Sequence, residues 1–183
     1  MTDKNEYDVK YSHRIEAPWE LYSMRQRSVF LTILFLVATT NVVDRQVINV
    51  LIEPIKTEFQ VSDSMMGLLS GLAFSMFYVT LGIPAARWAD KGNRLNIMAI
   101  GLTVWSVMAA VCGFAQSFWQ LVTARLFVGA GESTSGPASQ SLIADYYPPE
   151  KRSFALGVFL MSTAASSVIG LILGGYIAET YGW

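Results

Sequence analysis

Residues 28–51 read SVFLTILFLVATTNVVDRQVINVL, an apolar run with one acidic and one basic residue, Asp44 and Arg45, set toward its end. At ~1.5 Å rise per residue, about 20 residues cross the ~30 Å hydrocarbon core of a bilayer, so the run is predicted as a transmembrane helix. Four further runs of spanning length succeed it, at 64–86, 95–114, 118–144 and 153–177. Composition agrees: of 183 residues 52% are hydrophobic and only 15% charged, with net charge −1, whereas soluble domains average about 45–50% apolar and about 25% charged. A soluble globule and a basic nucleic-acid binder are therefore excluded. The expected fold class is all-α and integral to the membrane.

Chemistry-bearing residues are scarce. There is one cysteine, Cys112, in an apolar run, and one histidine, His13, in a polar stretch. That leaves no disulfide or cysteine metal site within one chain, and no Ser/His/Asp set or phosphate-binding glycine loop is visible. No enzyme activity, cofactor or metal is expected.

Residues 1–27 are polar and of mixed charge, and no cleavable leader is recognisable. They read as a cytoplasmic tail, within which Pro18, Trp19, Leu21 and Tyr22 start a short interfacial helix or form a linker. The connections between runs are an acidic loop at 53–63, a basic loop at 87–94, almost nothing at 115–117, and a mixed loop with two prolines at 145–152. Lys4, Lys10, Arg14, Arg25, Arg27, Arg87, Lys91, Arg94, Lys151 and Arg152 fall on one side, and only Lys56 on the other. Basic loops are retained in the cytoplasm, which places the N-terminus inside and, after five spans, Trp183 outside.

Arg45 and Arg125, together with Asp44 and Glu132, lie within the runs themselves. Unpaired, each costs roughly 2.5–3.5 kcal/mol near a helix centre, so the four are expected to face one another or a water-filled interior. Asp44 and Arg125 each lie seven residues from the outer end of their runs, which makes them plausible partners. Glu132 is two turns beyond Arg125 on nearly the same face and is the acid with the least obvious partner. Desolvation penalises the charged form of a buried carboxylate, so Glu132 is the first candidate for reversible protonation and Asp44 the second. Adjacent helical residues point about 100° apart, so Arg45 is expected to face a cavity and meet an anionic substrate group. The plainer alternative is that the charges only lock the first and fourth helices together.

A stripe of small residues, Ser162, Ser166, Gly170, Gly174 and Ala178, runs along the fifth span, and Gly67 and Gly71 make a shorter one in the second. Such stripes let another helix approach closely, inside or outside the five.

Gly82-Ile-Pro-Ala-Ala-Arg-Trp-Ala-Asp90-Lys91-Gly-Asn93-Arg94 resembles the loop between the second and third helices of the major facilitator superfamily, G-x-x-x-D-R-x-G-R-R, with Asn93 where glycine is usual. Asn41-Val-Val-Asp44-Arg45 in the first span and Arg125-Leu-Phe-Val-Gly129-Ala-Gly131-Glu132 in the fourth resemble the N-x-x-D-R and R-x-x-x-G-x-G-E patterns of its Spinster family of lipid transporters. The resemblance covers residues 28–183 and implies the first five helices of a six-helix lobe, in a two-lobed carrier working by alternating access. The C-terminal lobe is expected to be missing from this chain. The resemblance further implies a central polar site of Asn41, Asp44, Arg45, Arg125 and Glu132, and a cytoplasmic gate network of Asp90, Arg94, Asp145 and Arg152. It implies that Gly170, Gly174 and Gly175 pack on the other lobe. Family members move lysophospholipids or sphingosine 1-phosphate.

The expected function is proton-coupled transport of an amphipathic anionic, lipid-like solute across the cell membrane, the partners being bilayer, solute, protons and the missing lobe. The alternatives are another small solute (a sugar, drug or organic acid) and a non-transporting membrane interaction protein.

Overall fold

A computed structural model describes residues 17–181, with Ala73, Ala89, Asp90 and Tyr181 described by backbone only. Trp183, expected on the outer side, lies outside the described residues, as does most of the tail. The described chain is helical throughout: a 3₁₀ turn Pro18–Leu21, then α1 (Met24–Val50), α2 (Ile52–Phe59), α3 (Asp63–Gly67), a π-helical turn Leu68–Leu72, α4 (Ala73–Lys91), α5 (Arg94–Cys112), α6 (Phe118–Glu132), α7 (Ser135–Tyr146) and α8 (Pro149–Tyr181).

The helix starts are set by capping chemistry. Ser23 and Gln26 form a reciprocal box, the Gln26 amide donating to Ser23 Oγ at 3.3 Å and the Ser23 amide to Gln26 Oε1 at 2.8 Å. Ser62, Asn93 and Ser117 cap α3, α5 and α6, each accepting from backbone amides of the first turn. The Ser23 box starts α1 four residues earlier than the apolar pattern alone indicates.

Four stretches are long and apolar enough to cross a membrane: Met24–Val50, Asp63–Trp88, Arg94–Cys112 and Pro149–Thr180. The run at 118–144 is divided instead, into α6 and α7. Pro137 is the cause. It stands third in α7 and lacks the N–H that would bond the carbonyl of Ser133, so a continuous ladder cannot pass. Inside a membrane the freed carbonyls need donors. Hydroxyls supply them: Ser133 Oγ donates to the Ala130 carbonyl at 2.7 Å, Thr134 Oγ1 to Gly131 at 2.9 Å and Ser135 Oγ to Glu132 at 2.8 Å.

The acidic connection at 53–63 is not an open loop. It holds α2, whose Ile55 is fully buried among Met66, Leu69, Phe118, Leu121 and Val122, and Gln60 at φ 52° turns the chain back toward α3. Lys56 bonds Asp63 at 2.5 Å across that turn.

The most extensive packing is of α1 on α8, then of α5 and α4 on α6. The small-residue stripe of α8 explains the first. A Cβ at Gly170 would lie 2.6 Å from Gln46 Cβ, one at Gly174 would lie 3.5 Å from Val47 Cα, and Ser166 Oγ donates to the Thr39 carbonyl at 3.0 Å. Gly170 and Gly174 therefore face α1 within this bundle. Gly175, the third of that set, has open space beside it, as do Gly67 and Gly71. Outward faces carry large apolar side chains, among them Leu36, Phe77, Ile100 and Leu171, as a lipid-facing surface requires.

Candidate functional site

Two ion pairs join α1 to α6. Asp44 meets Arg125, whose side chain is 5% exposed. Arg45 meets Glu132, with Nη2 at 2.7 Å and Nε at 2.8 Å from Oε2. The acid that had no evident partner in the sequence is thus the partner of Arg45, and both neighbours on α1 reach the same helix. The physical reason is side-chain length and lean. Long helical side chains point back toward their own N-terminus, so Arg45 extends toward the N-terminal end of α1, where Glu132 lies two turns beyond Arg125. Each acid thereby has a cation, which offsets the desolvation that four isolated charges would incur.

The pairs are not closed off equally. The Glu132 side chain is fully buried and that of Arg45 is 36% exposed. Glu132 Oε1, Arg125 Nε and Asn41 Nδ2 are buried without a hydrogen-bond partner among the described residues. Asn41 lies one turn below Arg45 and lines a cavity of about 120 Å³ with Tyr78, Ser135, Ser139, Ser162 and Thr163. The site thus combines a half-open cation and a buried acid with a free oxygen, and one turn away a small space whose lining mixes hydroxyls and an amide with apolar side chains such as Val42 and Phe159.

Two aromatic residues of α4, which no sequence pattern singled out, complete it. The Arg45 guanidinium lies 4.8 Å from the ring centres of both Phe74 and Tyr78, and that of Arg125 lies 5.1 Å from Phe74. Their i,i+4 spacing was a visible signal, but in a wholly apolar span aromatic residues do not stand out.

Of the expected gate residues, Arg94 pairs with Asp145. Among the described residues Arg152 is paired with no acid: its Nε donates to the Tyr147 carbonyl at 3.1 Å and its guanidinium lies 5.1 Å from the Trp19 ring. Asp90 falls within α4, but its side chain lies outside the described residues. The 3₁₀ turn and Tyr22 dock at this end of the bundle. Tyr22 stacks on Tyr146, which stacks on Phe30, and Tyr147 Oη donates to the Arg27 carbonyl at 3.0 Å.

Long apolar helices joined by paired intramembrane charges define a polytopic membrane protein. The chain belongs to the Major Facilitator Superfamily, matching it over residues 34–183. Within it the likeness is to Spinster proteins. The chain is 35% identical over 132 residues to a probable sphingolipid transporter, spinster homolog 1, of Arabidopsis thaliana, covering 70% of this chain and 26% of that protein. It is 38% identical over 151 residues to an MFS-type efflux pump of Mycolicibacterium smegmatis, 82% of this chain and 35% of that one. It matches with a TM-score of 0.83 and 41% identity the crystal structure of a bacterial homologue of the human lysosomal transporter Spinster in an inward-facing, unoccupied conformation, over 86% of this chain and 33% of that one. The chain therefore spans roughly a quarter to a third of the length of these relatives.

Proposed function

We propose that this chain forms most of the N-terminal lobe of a secondary transporter that moves an amphipathic anionic, lipid-like solute by alternating access, with proton coupling, and lies in the cell membrane with its N-terminus in the cytoplasm. The observation that carries the reading is the Arg45–Glu132 pair, in which a fully buried acid holds a cation whose side chain is 36% exposed. An arriving anion competes with Glu132 for Arg45, and protonation of Glu132 frees Arg45 for it; binding of anion and proton are thereby linked. Asp44–Arg125 fixes the height of the two helices while this exchange takes place. At the inner end Arg94–Asp145 ties α5 to α7 and acts as part of the cytoplasmic gate.

The test is uptake by proteoliposomes containing the full-length carrier, offered an anionic lysolipid or a sugar, across an imposed pH gradient. Glu132→Gln is expected to remove the dependence on that gradient. Arg45→Ala is expected to lower uptake of the anion by roughly 10- to 100-fold, the scale of losing a hydrogen-bonded charged contact. Uptake of the anion at the wild-type rate by a folded Arg45→Ala protein sinks the anion-contact role. A second reading, expulsion of drug-like compounds, is favoured by the likeness to the Mycolicibacterium efflux pump. It predicts transport of uncharged amphipathic compounds that is indifferent to Arg45.

A further inference from the structure

Phe74 stands where the two ion pairs come closest. It is 6% exposed, and both guanidiniums, of Arg45 and of Arg125, approach its ring. Two independent features put it there. The first is the π-helical turn Leu68–Leu72, which inserts one residue into the helix. Met66 and Leu69 are buried three apart, as one face of an α-helix requires, and among the described side chains Phe74 is the next buried one, five further on. One extra residue rotates the remainder of the helix by about 100°, and it is this rotation that turns Phe74 and Tyr78 onto α6. The second is Gly129, which lies between Arg125 and Glu132 on the contacted face of α6. A Cβ there would lie 3.1 Å from both Cδ2 and Cε2 of Phe74, closer than side chains ordinarily come, so the ring is seated in the space the glycine leaves.

We propose that Phe74, assisted by Tyr78, is a positioning residue: a second, non-titrating holder of Arg45 that keeps the guanidinium aimed into the site when Glu132 no longer does. An ion pair with Glu132 exists only while that acid is charged. The attraction between a guanidinium and the face of an aromatic ring does not depend on a proton. When Glu132 is neutral, Asp44 is already engaged with Arg125, and the rings remain as the attractive partners of Arg45. The titratable and charged groups facing it are Asp44 from α1, Arg125 and Glu132 from α6, and Tyr78 from α4. From α5 Cys112 packs near Arg125 and Asp44. The stretch of α8 packed on α1, residues 162–174, carries no charge.

This inference rests on the proposed anion and proton roles, and its test separates the two. Phenylalanines bearing one, two or three ring fluorines are introduced at position 74 of the full-length carrier; they keep the size of the ring while draining the negative charge of its face. Two quantities are read. KM for an anionic lysolipid is expected to rise stepwise with fluorine number, by roughly 3- to 10-fold in total, with kcat changing less. Melting temperature without any solute is expected to fall with fluorination, and by more in the Glu132→Gln protein than with Glu132 in place, because without that carboxylate the rings hold Arg45 alone. A flat KM series, or a melting-temperature loss equal with Glu132 in place and in the Glu132→Gln protein, overturns the positioning role. If the wild-type carrier takes up no anion, the proposed substrate class fails while the melting series still decides the role of Phe74. Tyr78→Phe, which keeps a ring, is expected to behave as wild type in both measurements, and Tyr78→Leu to lose part of the stability of the Glu132→Gln protein; the same stability in both variants counts against the pair of rings.

Discussion

Asp44→Ala is expected to destabilise the bundle by about 3–5 kcal/mol, among the largest effects of any single substitution here. Arg125 is the reason. Its side chain is 5% exposed and its Nε has no partner among the described residues, so removing Asp44 leaves a buried cation with no carboxylate bonded to it and the face of Phe74 opposite. Arg125→Ala leaves Asp44 unpaired instead, but Asp44 is 24% exposed and better able to reach water, so that loss is expected to be smaller. The double variant Asp44→Ala/Arg125→Ala is expected to be more stable than Asp44→Ala alone, because neither charge is then stranded. Thermal or denaturant unfolding of the full-length protein in detergent gives the cycle. Strictly additive losses would show that the pair contributes nothing as a pair.

Gly131→Ala is expected to cost about 3 kcal/mol, at the upper end of overpacking effects. A Cβ at Gly131 would lie 2.6 Å from the Gly101 carbonyl oxygen and 2.7 Å from the Trp105 amide nitrogen. Both obstacles are backbone, so no side chain can rotate out of the way, and α5 and α6 must separate. Gly101→Ala meets the same contact from the other side, where the new carbon would overlap Thr134 Oγ1 and lie 2.7 Å from the Gly131 oxygen. Because Glu132 is the next residue along α6, Gly131→Ala is also expected to weaken the Arg45–Glu132 pair and any pH dependence that relies on it. The control is Gly157→Ala in α8, where nothing lies within 4 Å. There the gain in helix propensity, up to about 1 kcal/mol, is expected to leave stability unchanged or slightly raised. Equal melting temperatures for Gly131→Ala and wild type would mean that the two helices are not held at backbone contact.

Much of this arrangement was legible in the sequence, for reasons that differ from residue to residue. Asp44 and Arg125 were matched by depth, because a helix rises by a fixed amount per residue and both stand seven residues from an outer end. Arg94 and Asp145 came together through the motif they resemble. Arg45 and Glu132 were not matched, because their pairing depends on the reach and lean of a long side chain, and depth alone set them about two turns apart. The break between α6 and α7 was hidden in a run whose hydropathy is continuous, although Pro137 and three successive hydroxyl residues, Ser133, Thr134 and Ser135, marked it.

By itself the sequence determined that this is an all-helical membrane protein, which stretches are apolar enough to span, on which side the basic residues gather, and that two positive and two negative charges lie buried in balance. Those properties are additive along a chain: hydropathy sums over a window, and charge is counted. Only the tertiary structure decided which acid holds which arginine, that Gly170 and Gly174 receive α1, and that Phe74 faces both cations and Tyr78 faces Arg45. These depend on the rotation of each helix about its own axis. That rotation is set by a one-residue π insertion and by glycine contacts between helices distant in sequence, and no window of hydropathy contains it.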